Sequence, residues 1–104
     1  MFKVTLAAAG QIQEAAQQSG AEGMALRLAA YKRPDGTYDY RMGFDQSTED
    51  DIRFHSEGAE VVIAPEYVPL LNTTILDFVK LESGEAEFIF INPDDPNYII
   101  STEN

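Results

Sequence analysis

The sequence predicts a mainly β, α+β domain that opens with a single helix. Ala8 to Ser19 is rich in Ala and Gln and stops at Gly20, the composition and terminator of a helix. From Met24 to Phe44, residues alternate at a period of two about Arg33-Pro34-Asp35-Gly36-Thr37, the pattern of two half-buried strands joined by a tight turn. A chain of 104 residues has room for one modest core, so a single domain is expected.

Each element follows in order. Lys3 to Leu6 reads as a short strand. The helix after it carries Ala8, Ile12, Ala15 and Ala16 at helical spacing, so it can lie close to a sheet while burying little area of its own. Leu26, Leu28 and Ala30 then alternate with Arg27, Ala29 and Tyr31, and Tyr38, Tyr40, Met42 and Phe44 alternate with Asp39, Arg41 and Gly43. An acidic loop, Asp45 to Asp51, leads to a strand at Ile52 to His55, a turn at Glu57-Gly58 and a β-branched strand at Glu60 to Ala64. Pro65 fits the first turn of a brief helix through Leu71, with strands expected at Thr74 to Val79 and Glu87 to Ile91. Residues 1–96 are read as one domain and 97–104 as a flexible tail.

Seven Lys and Arg stand against 18 Asp and Glu, a formal charge of -11, which repels nucleic-acid backbones unless positive charge is gathered locally. The hairpin gathers it. Arg27, Lys32, Arg33 and Arg41 against Asp35 and Asp39 make Met24 to Phe44 net positive. Alternation puts Arg27, Tyr31 and Arg33 on one face of the first strand and Arg41 on the matching face of the second, a basic stripe read as facing outward. Arg and Tyr are frequent interface anchors, so these four residues are the candidate partner-binding set.

Little else in the chain suggests chemistry. No cysteine is present, which removes disulfides, thiolate nucleophiles and thiolate metal sites. His55 is the single histidine and reads as a strand-end surface residue, since a metal site on it needs further converging ligands. Asp45, Glu49, Asp50 and Asp51 lack the alternation, central Gly and closing Glu of a calcium loop. Asp94 and Asp95 after Asn92-Pro93 read as turn residues. No phosphate-binding Gly motif or serine elbow is found, so no enzyme, cofactor or metal is expected. The N-terminus has no signal pattern and no apolar run is long enough to span a membrane, giving the expectation of a cytoplasmic, soluble protein.

Three stretches carry a family resemblance. "VTLAAAG", "LRLAAYKRPDGTYDYRMGFD" and "DDIRFHSEGAEVVIAPEYVPLLNTTILDFVKLESGEAEFIFINP" together resemble the HesB/IscA-like A-type carriers of iron–sulfur biogenesis over about residues 3 to 96. The resemblance implies a compact barrel or sandwich of antiparallel and mixed strands. It also implies a cluster site on three cysteines, whose positions are occupied here by Asp35 in the hairpin and by Ile99 and Ser101 in the tail. One carboxylate, one aliphatic chain and one hydroxyl do not replace three thiolates. Because family oligomers often rely on the cluster region, a monomer is expected.

Cysteine-free members of that family are associated with dissimilatory sulfur oxidation. The leading expectation is therefore a non-catalytic accessory or regulatory protein that binds a protein partner, from sulfur oxidation or iron–sulfur metabolism. A second reading is an RNA-binding regulator acting through the basic hairpin and Tyr31. A third is a residual role in iron or iron–sulfur assembly through Asp35, Ser101 or His55.

Overall fold

The computed structural model describes residues 2–95 and the backbone of 99–101. Elements follow the order β1 (Lys3–Val4), α1 (Leu6–Ser19), β2 (Ala25–Lys32), β3 (Tyr38–Asp45), β4 (Ile52–Ser56), β5 (Ala59–Ile63), a 3-10 turn (Pro65–Tyr67), α2 (Val68–Leu71), β6 (Ile75–Lys80), β7 (Ala86–Ile91) and β8 (Ile99–Ser101). The mainly β fold with one opening helix is as the sequence predicts.

Boundaries shift for local reasons. Lys3 to Leu6 is not all strand: the Thr5 hydroxyl accepts the Ala8 N–H at 3.2 Å and starts α1 at Leu6, because a helix needs its first free N–H groups satisfied. Gly20 ends the helix with φ at 72°, a left-handed conformation that costs glycine little. The brief helix expected over Glu66 to Leu71 divides into a 3-10 turn and a four-residue α2. Pro69 stands in the first turn of α2, where its missing N–H does no harm but cannot join the two pieces.

The strands form two four-stranded sheets, ordered β1-β6-β7-β8 and β3-β2-β5-β4. Most pairings are antiparallel. Two are parallel, β1 with β6 and β2 with β5, so both sheets are mixed. Strand β8 pairs antiparallel with β7, Ile91 opposite Ile99 and Ile89 opposite Ser101.

One core lies between the layers. Leu26, Leu28, Ala30, Val61 and Ile63 come from the inner face of the hairpin sheet, Leu76 and Phe90 from the other sheet, and Ala8, Ala9 and Ile12 from α1. The small helix residues let α1 approach its neighbours, and the aliphatic strands supply most of the apolar burial. Thr5, besides capping α1, donates to Asp77 Oδ1 at 2.6 Å and so ties the helix start to β6.

Candidate functional site: the outer face of the β2–β3 hairpin

The register pairs Arg27 with Gly43, Ala29 with Arg41 and Tyr31 with Asp39. These six share the face turned away from the core, because alternate strand residues point to opposite sides. Arg27, Tyr31 and Arg41 thus stand where alternation puts them. Arg33 lies just past β2 and reaches back across the turn, its Nη1 donating to Tyr38 O at 3.0 Å and Thr37 Oγ1 at 3.2 Å.

The stripe is not free positive charge, and this corrects the sequence reading. Arg27 Nε donates to Asp45 at 2.8 Å, Nη1 and Nη2 donate to the two oxygens of Asp51 at 2.7 Å each, and Nη2 also reaches Gln46 O at 3.0 Å. Only 26% of its side chain is exposed, against 3% for Asp51. The paired bonds hold the Asp51 carboxyl well below the usual carboxylate range, with help from the Thr48 N–H, and raise Arg27 further. Val62, opposite Arg27 on this face, is fully buried. Arg27 is therefore a clamp on the 45–51 loop, and that end of the face is covered.

The other end is open. Arg41 donates to Asp39 Oδ2 through Nε and Nη2 at 3.2 and 2.9 Å, yet its side chain remains 70% exposed. Asp39 also faces Arg33 Nη2 at 3.4 Å, so one carboxylate serves two guanidinium groups. Its hydrogen bond from Arg41 keeps it below the usual carboxylate range. Tyr31 is 47% exposed and meets Tyr67, which sequence reasoning had not singled out. Their rings stand edge to face at 5.3 Å and their hydroxyls hydrogen-bond at 3.1 Å. That bond, with some burial, pushes the Tyr67 phenol up to about 12. The signal for Tyr67 was weak, since it sits in a 3-10 turn 36 residues from its partner.

Asp35, at the hairpin tip, is exposed. Its Oδ1 accepts the Thr37 N–H at 2.9 Å and the Thr37 hydroxyl at 2.6 Å, and these hold its carboxyl below the usual range. This is a turn-closing role. Ile99 and Ser101 are the ends of β8, and Tyr98 lies outside the described residues. His55 points from β4 to solvent with Nε2 at 3.7 Å from Glu60. Among the described residues no group of three His, Cys, Asp or Glu is arranged to hold a metal ion. Glu49 and Asp50 are exposed on the loop that Arg27 clamps.

A second polar group surrounds the Asn92-Pro93 turn. Tyr40 Oη donates to Asp95 Oδ2 at 2.8 Å and accepts from Asn92 Nδ2 at 3.2 Å, while Asn92 Nδ2 also reaches Leu70 O at 3.1 Å. Thr73 Oγ1 has two acceptors within reach of its one proton, Asn92 Oδ1 at 3.2 Å and Asp94 Oδ2 at 3.1 Å. The Tyr40 ring stacks on Phe90 at 4.4 Å, and burial raises its phenol well above the ordinary value. Asp94 and Asp95 do form a turn, as expected, but Asp95 is only 3% exposed. Its buried side joins the turn to the hairpin sheet.

No family model matches the chain. Comparison with solved structures nevertheless defines its class. The crystal structure of Escherichia coli SufA, involved in biosynthesis of iron–sulfur clusters, superposes with a TM-score of 0.74 at 26% identity, covering 92% of this chain and 83% of SufA. The crystal structure of IscA with the [2Fe-2S] cluster gives 0.69 at 29% identity, covering 89% and 86%. A solution structure of a protein from Aquifex aeolicus gives 0.64 at 35% identity, covering 88% and 91%. A protein of Aquifex aeolicus (strain VF5) is also 36% identical over 80 residues, 76% of this chain and 69% of the relative. The chain has the fold of the SufA and IscA structures and is a relative of the Aquifex aeolicus protein. The chain has no cysteine, and Asp35, Ile99 and Ser101, where the resemblance implies the cluster ligands, offer no thiolate and so do not fit a cluster.

Proposed function

We propose that this chain is a non-catalytic accessory or regulatory protein that kept the carrier fold and uses it to bind a protein partner. The observation that carries the reading is a whole family fold in a chain without cysteine. A carrier fold without soft ligands leaves a surface as the feature that can act. The open end of the hairpin face, Tyr31 with Tyr67 beside Arg41 and Arg33, supplies rigid aromatic area next to exposed guanidinium, the residue types that anchor interfaces.

The setting we propose is dissimilatory sulfur oxidation in the cytoplasm, with the chain a DsrR-like, cysteine-free member and its partner a sulfur-oxidation or iron–sulfur protein. The RNA reading loses support from the geometry, since Arg27, Arg33 and Arg41 each face an aspartate and the chain carries -11 overall. A residual metal role through Asp35 is weakened because its carboxylate already closes the turn.

Affinity capture from native lysate tests the proposal, with wild type beside a Tyr31→Ala/Arg41→Glu bait. Arg27 is left intact because its loss would free the 45–51 loop. Recovery of an identified iron–sulfur or sulfur-metabolism protein by wild type alone is expected. Equal recovery by both baits would place the interface elsewhere.

A further inference from the structure

We propose that β3 is an open docking edge that takes an extended segment of a partner protein as an added strand, with a carboxylate of that segment against Arg41. The proposal deepens the partner-binding reading and rests on it. Among the described residues β3 is the last strand of its sheet, with β2 its single neighbour.

The hairpin phase fixes which groups face outward. Arg33 N–H donates to Thr37 O at 2.7 Å, so in this antiparallel ladder Asp39, Arg41 and Gly43 exchange bonds with β2. Tyr38, Tyr40, Met42 and Phe44 therefore direct their backbone N–H and C=O away from the sheet. Arg33 Nη1 already caps Tyr38 O. Among the described residues the groups of Tyr40, Met42 and Phe44 are left as a row of donors and acceptors, the usual template for strand addition.

Side chains along the same stretch are also incomplete. On β2, Leu26, Leu28 and Ala30 are 2%, 0% and 1% exposed. Their β3 partners Phe44, Met42 and Tyr40 pack on the core but stay only half-buried. On the opposite, outer face a shallow groove of about 250 Å³ runs over both strands of the hairpin, lined by Arg27 and Ala29 of β2 and by Arg41, Met42, Gly43, Phe44 and Asp45. Gly43 leaves bare backbone as its floor. One added strand would satisfy the free backbone groups and cover the apolar flank together.

Charge selects the occupant. Asp45 at one end of the groove is taken by Arg27, whereas Arg41 at the other is 70% exposed and shares its aspartate with Arg33. The matching segment alternates apolar residues and carries Glu or Asp opposite Arg41. A second copy of this chain is a poorer occupant, because two chains of -11 repel.

The probe is a synthetic peptide of about twelve residues that alternates Val and Thr, with one central Glu on its Thr side, and a sister peptide with Lys there. Amide exchange of the full chain is read by NMR. In the free protein, Tyr40, Met42 and Phe44 amides are expected to exchange about tenfold or more faster than Asp39, Arg41 and Gly43. Millimolar Glu peptide slows the first set, the Lys peptide binds roughly tenfold more weakly, and Arg41→Glu inverts that preference. Met42→Pro, which removes an outward N–H and no ladder bond, abolishes binding. If Met42→Pro does not fold, the Arg41→Glu inversion decides.

Unchanged exchange of those three amides, protection at another edge, or no charge preference would overturn the proposal. Concentration-dependent protection in the protein alone would overturn it in favour of a second copy. The peptide assay needs no native partner, so its failure leaves the lysate experiment to judge the outer-face reading separately.

Discussion

Arg27 and Asp51 meet through two parallel N–H···O bonds of 2.7 Å, 24 residues apart in sequence. The pair fastens the acidic loop onto the outer face of the hairpin sheet, and Thr48 N–H adds a third donor to the same carboxylate at 2.8 Å. The acidic loop is thereby built into the domain.

The clamp gives stability a definite pH dependence. The Asp51 carboxyl is lowered in the folded state by Arg27 first and the Thr48 N–H next. Its contribution is therefore fully present above the unfolded value of about 3.9 and lost as pH falls through the lowered folded value. Urea unfolding of wild type and Asp51→Asn across pH is expected to show a gap that is constant near neutrality and closes below about pH 4. A gap that persists unchanged into strong acid would show that the carboxylate is not the source.

How far the sequence could reveal this depends on separation along the chain. The helix was legible because Ala, Gln and Gly20 are neighbours, and the hairpin because its turn and alternation are local. Thr5 was misread as strand, since its capping role depends on Ala8 N–H being free. Alternation correctly placed Arg27 outward but said nothing of Asp45 and Asp51, which return to it from 18 and 24 residues away. Tyr67 and Asp95 were missed as site and core residues for the same reason, their partners being 36 and 55 residues distant.

The Tyr40 hydroxyl links the hairpin to the Asn92-Pro93 turn. Tyr40→Phe keeps the stack on Phe90 but removes a donor to Asp95 and an acceptor for Asn92. A loss of about 1–3 kcal/mol is expected by denaturant titration. Absorbance titration of the phenols is expected to lose a component that ionises well above the ordinary tyrosine value, because burial raises Tyr40. Wild-type stability in Tyr40→Phe would mean the network contributes nothing net.

Thr74 offers the opposite test. Its hydroxyl is buried without a hydrogen-bond partner among the described residues, and burying such a group costs about 1–3 kcal/mol. Thr74→Val keeps the branched shape and removes the hydroxyl, so it is expected to raise the unfolding midpoint in urea. A lowered midpoint would indicate that the hydroxyl is satisfied in solution.

Core packing follows the usual scale. Leu28 is fully buried between the sheets, and Leu28→Ala is expected to cost about 2–5 kcal/mol. Denaturant curves read at constant slope would check it. A cost below about 1 kcal/mol would mean that the layers collapse onto the space left behind.

Without a thiolate at Asp35, Ile99 and Ser101, where the resemblance implies the cluster ligands, the chain is expected to hold no iron–sulfur cluster. Anaerobic incubation with iron and sulfide, then desalting and an absorption spectrum, tests it most directly, with an Asp35→Cys/Ile99→Cys/Ser101→Cys variant run in parallel. A colourless wild type beside a coloured variant is the expected result. Stoichiometric iron and sulfide retained by the wild type would contradict the account.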